Sequence, residues 1–118
     1  MFVEDNFICN MDSCDVLRAH GFSVTATYCA SAAFEAISKH EHLSALVTDI
    51  DLGSGGDGFD VARHARKAYP HLPVVYISGT AAARHLSEGV KDSTFLTKPC
   101  DPLQIVAALN RAIRLEAA

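Results

Sequence analysis

Two apolar runs without alternation stand out along the chain, Ala45-Leu46-Val47 and Val74-Val75-Tyr76-Ile77. Short unbroken runs bounded by glycine and proline read as strands buried on both faces of a parallel sheet. The first leads through Thr48 to Asp49-Ile50-Asp51-Leu52 and the loop Gly53-Ser54-Gly55-Gly56-Asp57-Gly58, the second into Ser78-Gly79. Residues 1–3 form a very short first strand ahead of Glu4-Asp5. Residues 22–28, rich in β-branched and aromatic side chains, give the second strand, and residues 93–96 the fifth, ahead of Thr97-Lys98-Pro99.

Between the strands the apolar spacing is helical. Asp5 or Asn6 can cap a first helix that runs to about His20 and stops at Gly21. Its apolar stripe, Ile8, Met11, Val16 and Leu17, is interrupted by Asp12, Ser13 and Asp15. Ser31 can cap a second helix with Ala33, Phe34 and Ile37 on one side. Asp57 caps a third, with Asp60 in its first turn and Phe59, Ala62, Ala65 and Tyr69 facing the core; Pro70 ends it. Residues 81–88 make a short fourth helix stopped by Gly89. Asp101-Pro102-Leu103-Gln104 is a strong helix start, and Leu103, Val106, Leu109 and Ile113 recur behind it.

The order is a βα unit repeated five times, which implies an α/β doubly wound parallel sheet with right-handed crossovers. The 118 residues suffice for one domain with one core, residues 1–118, and no linker or output domain is expected. No apolar run reaches the roughly 18 residues of a membrane span. The acidic start lacks the basic segment of a signal peptide, so the expected location is cytoplasmic. A net charge of −4 argues against direct nucleic-acid binding through phosphates. Cys9, Cys14, Cys29 and Cys100 form no C-x-x-C pair and are expected to be reduced and mostly buried. His40-Glu41-His42 has the wrong spacing for one helix face and reads as a solvated helix end rather than a metal site.

The chemistry lies in what each strand delivers at its carboxyl end, where open α/β sheets bind ligands. Taken alone, Asp49 would be a turn or cap residue. It is not alone: strand one delivers Glu4 and Asp5, strand four Ser78, strand five Lys98. Parallel strands point all these ends at one crevice. Crowded carboxylates repel unless a cation sits among them, and Mg²⁺ favours such oxygen donors. Lys98 and Ser78 add a charge and a hydroxyl for phosphoryl oxygens. Phosphoryl transfer onto Asp49, giving an acyl phosphate, fits this set.

In this order and spacing, Val3-Glu4-Asp5-Asn6, Leu46 to Leu52 around Asp49, Asp57-Gly58-Phe59, Tyr76-Ile77-Ser78-Gly79 and Phe95-Leu96-Thr97-Lys98-Pro99 resemble the response-regulator receiver domain of two-component signalling. The resemblance covers essentially the whole chain. It implies a flavodoxin-like five-stranded sheet, order 2-1-3-4-5. It implies that Asp49 accepts a phosphoryl group from a phosphohistidine on a sensor histidine kinase or a histidine phosphotransfer protein. Glu4 and Asp5 match the acidic pair, Asp5 as the direct Mg²⁺ ligand, and the Asp51 carbonyl matches a backbone ligand. Ser78 matches the switch hydroxyl, Phe95 the switch aromatic and Lys98 the phosphate-binding lysine, followed by a cis peptide before Pro99. A downstream protein target is implied as well, and a homodimer is compatible with it.

The chain departs from the family in its short first strand, in Asp12 and Ser13 at positions usually aliphatic, and in a glycine-rich loop one residue longer than usual. Asp51 and Thr80 fall where family members influence the hydrolytic water. An alternative from another class is a small phosphatase of the haloacid dehalogenase type, whose Asp-x-Asp motif Asp49-x-Asp51 resembles. That family carries the motif on its first strand, whereas here two βα units come earlier.

Overall fold

In the computed structural model, which describes residues 1–39, 42–80 and 82–117, strands and helices alternate strictly. They are β1 (Phe2–Val3), α1 (Phe7–Ala19), β2 (Ala26–Thr27), α2 (Ala30–Lys39), β3 (Leu46–Asp49), α3 (Gly58–Ala68), β4 (Val74–Ser78), α4 (Ala82–Glu88), β5 (Thr94–Thr97) and α5 (Pro102–Ala117). All pairings are parallel, in the order β2-β1-β3-β4-β5. Every residue of β3 and β4 is buried, as their unbroken apolar runs require.

Alternation along each strand divides the core in two. Val3, Leu46, Val74 and Tyr76 face α2 and α3, meeting Ala33, Ile37, Phe59, Ala62 and Ala65. Phe2, Val47, Val75 and Ile77 face α1 and α5, meeting Cys14, Leu17, Ile105, Val106 and Leu109.

Several expectations from the spacing change here. The second strand shrinks to Ala26–Thr27, because its ladder partner β1 offers only Phe2 and Val3. Phe22 and Val24 keep their alternation and still pack against the α1/α5 core. On α1 the buried face is Asn10, Ser13, Cys14 and Leu17, while Ile8 and Met11 are exposed. Ser31 is not a cap: α2 already begins at Ala30, and the Ser31 hydroxyl lies 3.4 Å from Cys29 Sγ. On α5, Ile105 takes the core position and Leu103 is exposed. The cysteines are free, but only Cys14 is buried. His40, Glu41 and Ala81 lie outside the described residues.

The caps form largely as the residue types demand. Asn6 Oδ1 accepts from Cys9 N–H at 3.0 Å, and Asp57 and Asp60 make a reciprocal capping box on α3. Asp101 Oδ1 accepts from Leu103 N–H at 2.8 Å and Gln104 Oε1 from Asp101 N–H at 2.7 Å. Each cap ends a strand-to-helix loop at the same edge of the sheet, which fixes the frame of the crevice there.

Candidate functional site

The register explains why particular side chains meet. Phe2 pairs with Val47, Val47 with Val75, and Ile77 with Leu96. Two residues further along, the same sheet face carries Glu4, Asp49 and Lys98. The alternation therefore brings these three together past the strand ends. Lys98 Nζ donates to Glu4 Oε1 at 2.8 Å and to Asp49 Oδ2 at 3.0 Å. Both carboxylates are buried, so their desolvation has to be offset, and a shared ammonium with hydrogen bonds to each does so. Burial by itself would lower the Lys98 pKa; its contacts with Glu4 and Asp49 outweigh that and hold it above the ordinary lysine value.

Asp5 stands at the mouth, exposed. Glu4, Asp5 and Asp49 each offer an oxygen within 4.8 Å of the others, the one such donor group among the described residues. Desolvation and the neighbouring Glu4 carboxyl raise the Asp5 pKa above the ordinary carboxylate value. Three carboxylates facing one ammonium leave an excess of negative charge, and an all-oxygen donor set suits a small hard cation such as Mg²⁺. Asp51 is exposed and its carboxylate lies outside that donor group.

Ser78 belongs to the opposite parity, pairing with Thr97, and is buried at the crevice end of β4. Its hydroxyl oxygen accepts from Thr80 N–H at 3.2 Å. Phe95 pairs with Tyr76 and so faces α4. A column of rings runs from Phe59 through Tyr76 and His85 to Phe95, with centroids 5.1, 5.4 and 5.5 Å apart. The Lys98–Pro99 peptide is cis.

Two residues that hold the surroundings of the crevice are marked by no motif in the sequence. Arg84 on α4 pairs with Asp57 at 2.9 Å and Glu88 at 2.6 Å, and its guanidinium lies 5.1 Å from the Phe59 ring centroid. It ties α4 to the start of α3, beside the crevice. Asn10, fully buried on α1, donates to the carbonyl oxygens of Glu4 and Thr27 at 3.0 and 2.9 Å. Arg84 sits in a polar helix and Asn10 between Cys9 and Met11, so neither carries a motif. A polar residue at a core position of α1 was the one available signal for Asn10.

The family model of the response regulator receiver domain matches residues 1–110. The chain belongs to this family. A response regulator receiver protein of Anaeromyxobacter sp. (strain Fw109-5) is 32% identical over 112 residues, covering 95% of this chain and 44% of that protein. The receiver domain thus spans less than half the length of that relative. The crystal structure of a response regulator receiver protein from Sinorhizobium medicae WSM419 superposes with a TM-score of 0.93 at 36% identity, covering 98% of this chain and 93% of the other. The receiver domain of a sensor histidine kinase from Pseudomonas aeruginosa PAO1 superposes with a TM-score of 0.80 at 23% identity, covering 96% and 94% of the two chains. That structure holds a magnesium ion coordinated in its active site cleft.

Receiver domains are signalling modules of two-component systems. The phosphatase alternative finds no support: Asp49 ends the third strand, and the receiver domain's acidic pair from β1 already fills the space beside it. No described helix is long and apolar enough to cross a membrane.

Proposed function

We propose that this receiver domain takes a phosphoryl group onto Asp49 from a phosphohistidine, on a sensor histidine kinase or a histidine phosphotransfer protein, and thereby switches a protein-binding surface. The carrying observation is the Lys98 ammonium bridging the buried carboxylates of Glu4 and Asp49 at the end of β3. Glu4, Asp5, Asp49 and the Asp51 carbonyl would hold Mg²⁺, with Asp5 the direct ligand nearest solvent. That ion would neutralise charge on the transferring group and on the carboxylates around it.

The chain's own residues do the rest. Lys98 grips Asp49 Oδ2, so attack on phosphorus falls to Oδ1. The new oxygen–phosphorus bond forms as the phosphorus–nitrogen bond breaks, and the electron pair returns to the donor imidazole. Lys98 can then exchange a carboxylate for a phosphoryl oxygen without losing a charge-assisted hydrogen bond. The product carries about −1.5 to −2 charge in a crevice already negative. Ser78 is the neutral donor at hand, and turning its hydroxyl toward phosphate gives up the Thr80 N–H it now accepts. That frees the Gly79-Thr80 backbone beyond the end of β4, the strand on which Tyr76 pairs with the partly exposed Phe95. The face of α4, β5 and α5 is where a downstream target would sense the change.

Amide spectra recorded with Mg²⁺ and beryllofluoride, a phosphoryl mimic, test this reading. Shifts should spread from residues near Asp49 to residues 82–97, and chelating the metal should reverse them. Changes confined to the surroundings of Asp49 would make the protein a passive phosphate carrier.

A second expectation concerns Asp5. Its folded pKa lies above its unfolded value, so its contribution to stability is largest below the unfolded pKa and is lost as pH rises through the folded one. In metal-free protein Asp5→Asn should therefore raise the Tm at pH 7, with the gain vanishing below about pH 4. Saturating Mg²⁺ at about 100 Kd stabilises the folded state by roughly 2.7 kcal/mol, and the variant should forfeit most of that. Thermal scans with and without chelator would refute the assignment if both proteins gained equally from Mg²⁺.

A further inference from the structure

Asn10 sits in the middle of α1 with a relative exposure of 0%. A carboxamide there is costly unless each polar atom finds a partner. Nδ2 donates to the Glu4 carbonyl oxygen at 3.0 Å and to the Thr27 carbonyl oxygen at 2.9 Å, and Oδ1 accepts from Cys14 Sγ at 3.2 Å. Two carbonyl oxygens can be faced only by a donor, so the orientation of the amide is settled by its surroundings.

What the amide grips is the base of the acidic pair. β1 ends at Val3, and the last backbone bond from it toward β2 runs from Glu4 N–H to Thr27 O at 3.2 Å. Beyond that bond the two strands part. One NH₂ group reaches across the parting and takes a carbonyl from each. The peptide unit is planar, so holding Glu4 O also holds the Asp5 nitrogen and directs the Cα from which the Asp5 side chain departs. The third carboxylate, Asp49, rests on a different strand. Asn10 touches none of the three carboxylates, yet it fixes the backbone that carries two of them.

We propose that Asn10 is a positioning residue for the cation: its carboxamide clamps the ends of β1 and β2 and so sets where Glu4 and Asp5 stand relative to Asp49. This rests on the reading of the crevice as a Mg²⁺ site. Outer partners that orient metal ligands typically contribute about 10- to 100-fold in affinity. An asparagine that served folding alone would affect Tm and leave affinity untouched.

Calorimetric Mg²⁺ titration, below the onset of unfolding, separates these roles. The proteins are wild type, Asn10→Leu, Asn10→Asp and Ile37→Ala, the last a core truncation on the opposite sheet face. Asn10→Leu should weaken Mg²⁺ binding about ten-fold. Ile37→Ala should lower Tm and keep the wild-type Kd. Asn10→Asp retains the shape and the acceptor for Cys14 but turns an oxygen toward two carbonyls. In either protonation state the introduced carboxyl can donate to at most one of them, so the clamp is broken on at least one side and Mg²⁺ binding should be weaker than in wild type. Asn10→Leu with a lowered Tm and an unchanged Kd overturns the proposal. Should that variant fail to fold, an Asn10→Asp Kd equal to that of wild type overturns it instead. Wild type that takes up no Mg²⁺ overturns both the reading of the crevice and this inference, whereas wild-type binding with unaltered variants overturns this inference alone.

Discussion

Asp49→Asn should abolish phosphoryl uptake from acetyl phosphate and Mg²⁺, while Asp51→Asn leaves it in place. Asn keeps the volume of Asp and can accept a hydrogen bond from Lys98, so the fold should survive. What it lacks is a carboxylate oxygen able to attack phosphorus. Asp49 is the buried carboxylate that shares Lys98 with Glu4, and Glu4 is committed to Lys98 through Oε1. Asp51 is exposed, with its side chain outside the donor group. Intact-mass measurement should show one added phosphoryl group on wild type and on Asp51→Asn, acid-stable and hydroxylamine-labile, and none on Asp49→Asn. Label lost from Asp51→Asn alone would move the nucleophile. Rapid turnover of phosphate esters would revive a hydrolase reading of the same crevice.

The residues that the sequence made legible share a property. Asp49 and Ser78 end the two strands whose apolar runs stand out, Glu4, Asp5 and Lys98 follow two shorter strands, and parallel pairing alone aims all of them at one edge. That the sheet brings Glu4, Asp49 and Lys98 to one face needed the register, which the sequence does not state. The first helix departs from its apolar spacing for a different reason. Apolar spacing points to Ile8 and Met11, but they are exposed, while Asn10 and Ser13 face inward. A buried polar residue defeats a hydrophobic pattern when its partners lie outside its own helix, as the Glu4 and Thr27 carbonyls faced by Asn10 do. The same limit hid Arg84, whose ion pair with Asp57 spans 27 positions of sequence. On α5 Leu103 is exposed against expectation and Ile105 is buried, two positions being more than half a turn around a helix.

Gly58→Ala should be the most damaging small substitution near the site. Gly58 opens α3 and is buried, and its N–H donates to the Ile50 carbonyl at 2.8 Å. A Cβ at this position would overlap the Asp49 carbonyl oxygen and lie 2.9 Å from Ile50 Cα and 3.0 Å from the Asp49 carbonyl carbon. All three are backbone atoms at the end of β3, so no side chain can swing aside to make room. Nor can the helix retreat freely: the reciprocal bonds of Asp57 and Asp60, each 3.0 Å, pin its first turn. Phe59, fully buried against Tyr76, pins the next residue. Overpacking of a rigid site costs about 1–3 kcal/mol and occasionally more; with backbone on both sides, about 3 kcal/mol is expected. That corresponds to a fall in Tm of roughly 10 °C or more for a domain of this size. Gly55→Ala supplies the contrast, since a Cβ there meets nothing within 4 Å and only its φ of +93° opposes the change; the cost should be about 1 kcal/mol. Because the displaced atoms belong to Asp49, the folded fraction of Gly58→Ala should also take up phosphate from acetyl phosphate more slowly than Gly55→Ala. Thermal denaturation and phosphorylation rates of the two variants measured side by side check both parts, and equal Tm values would show that α3 yields where these contacts say it is held.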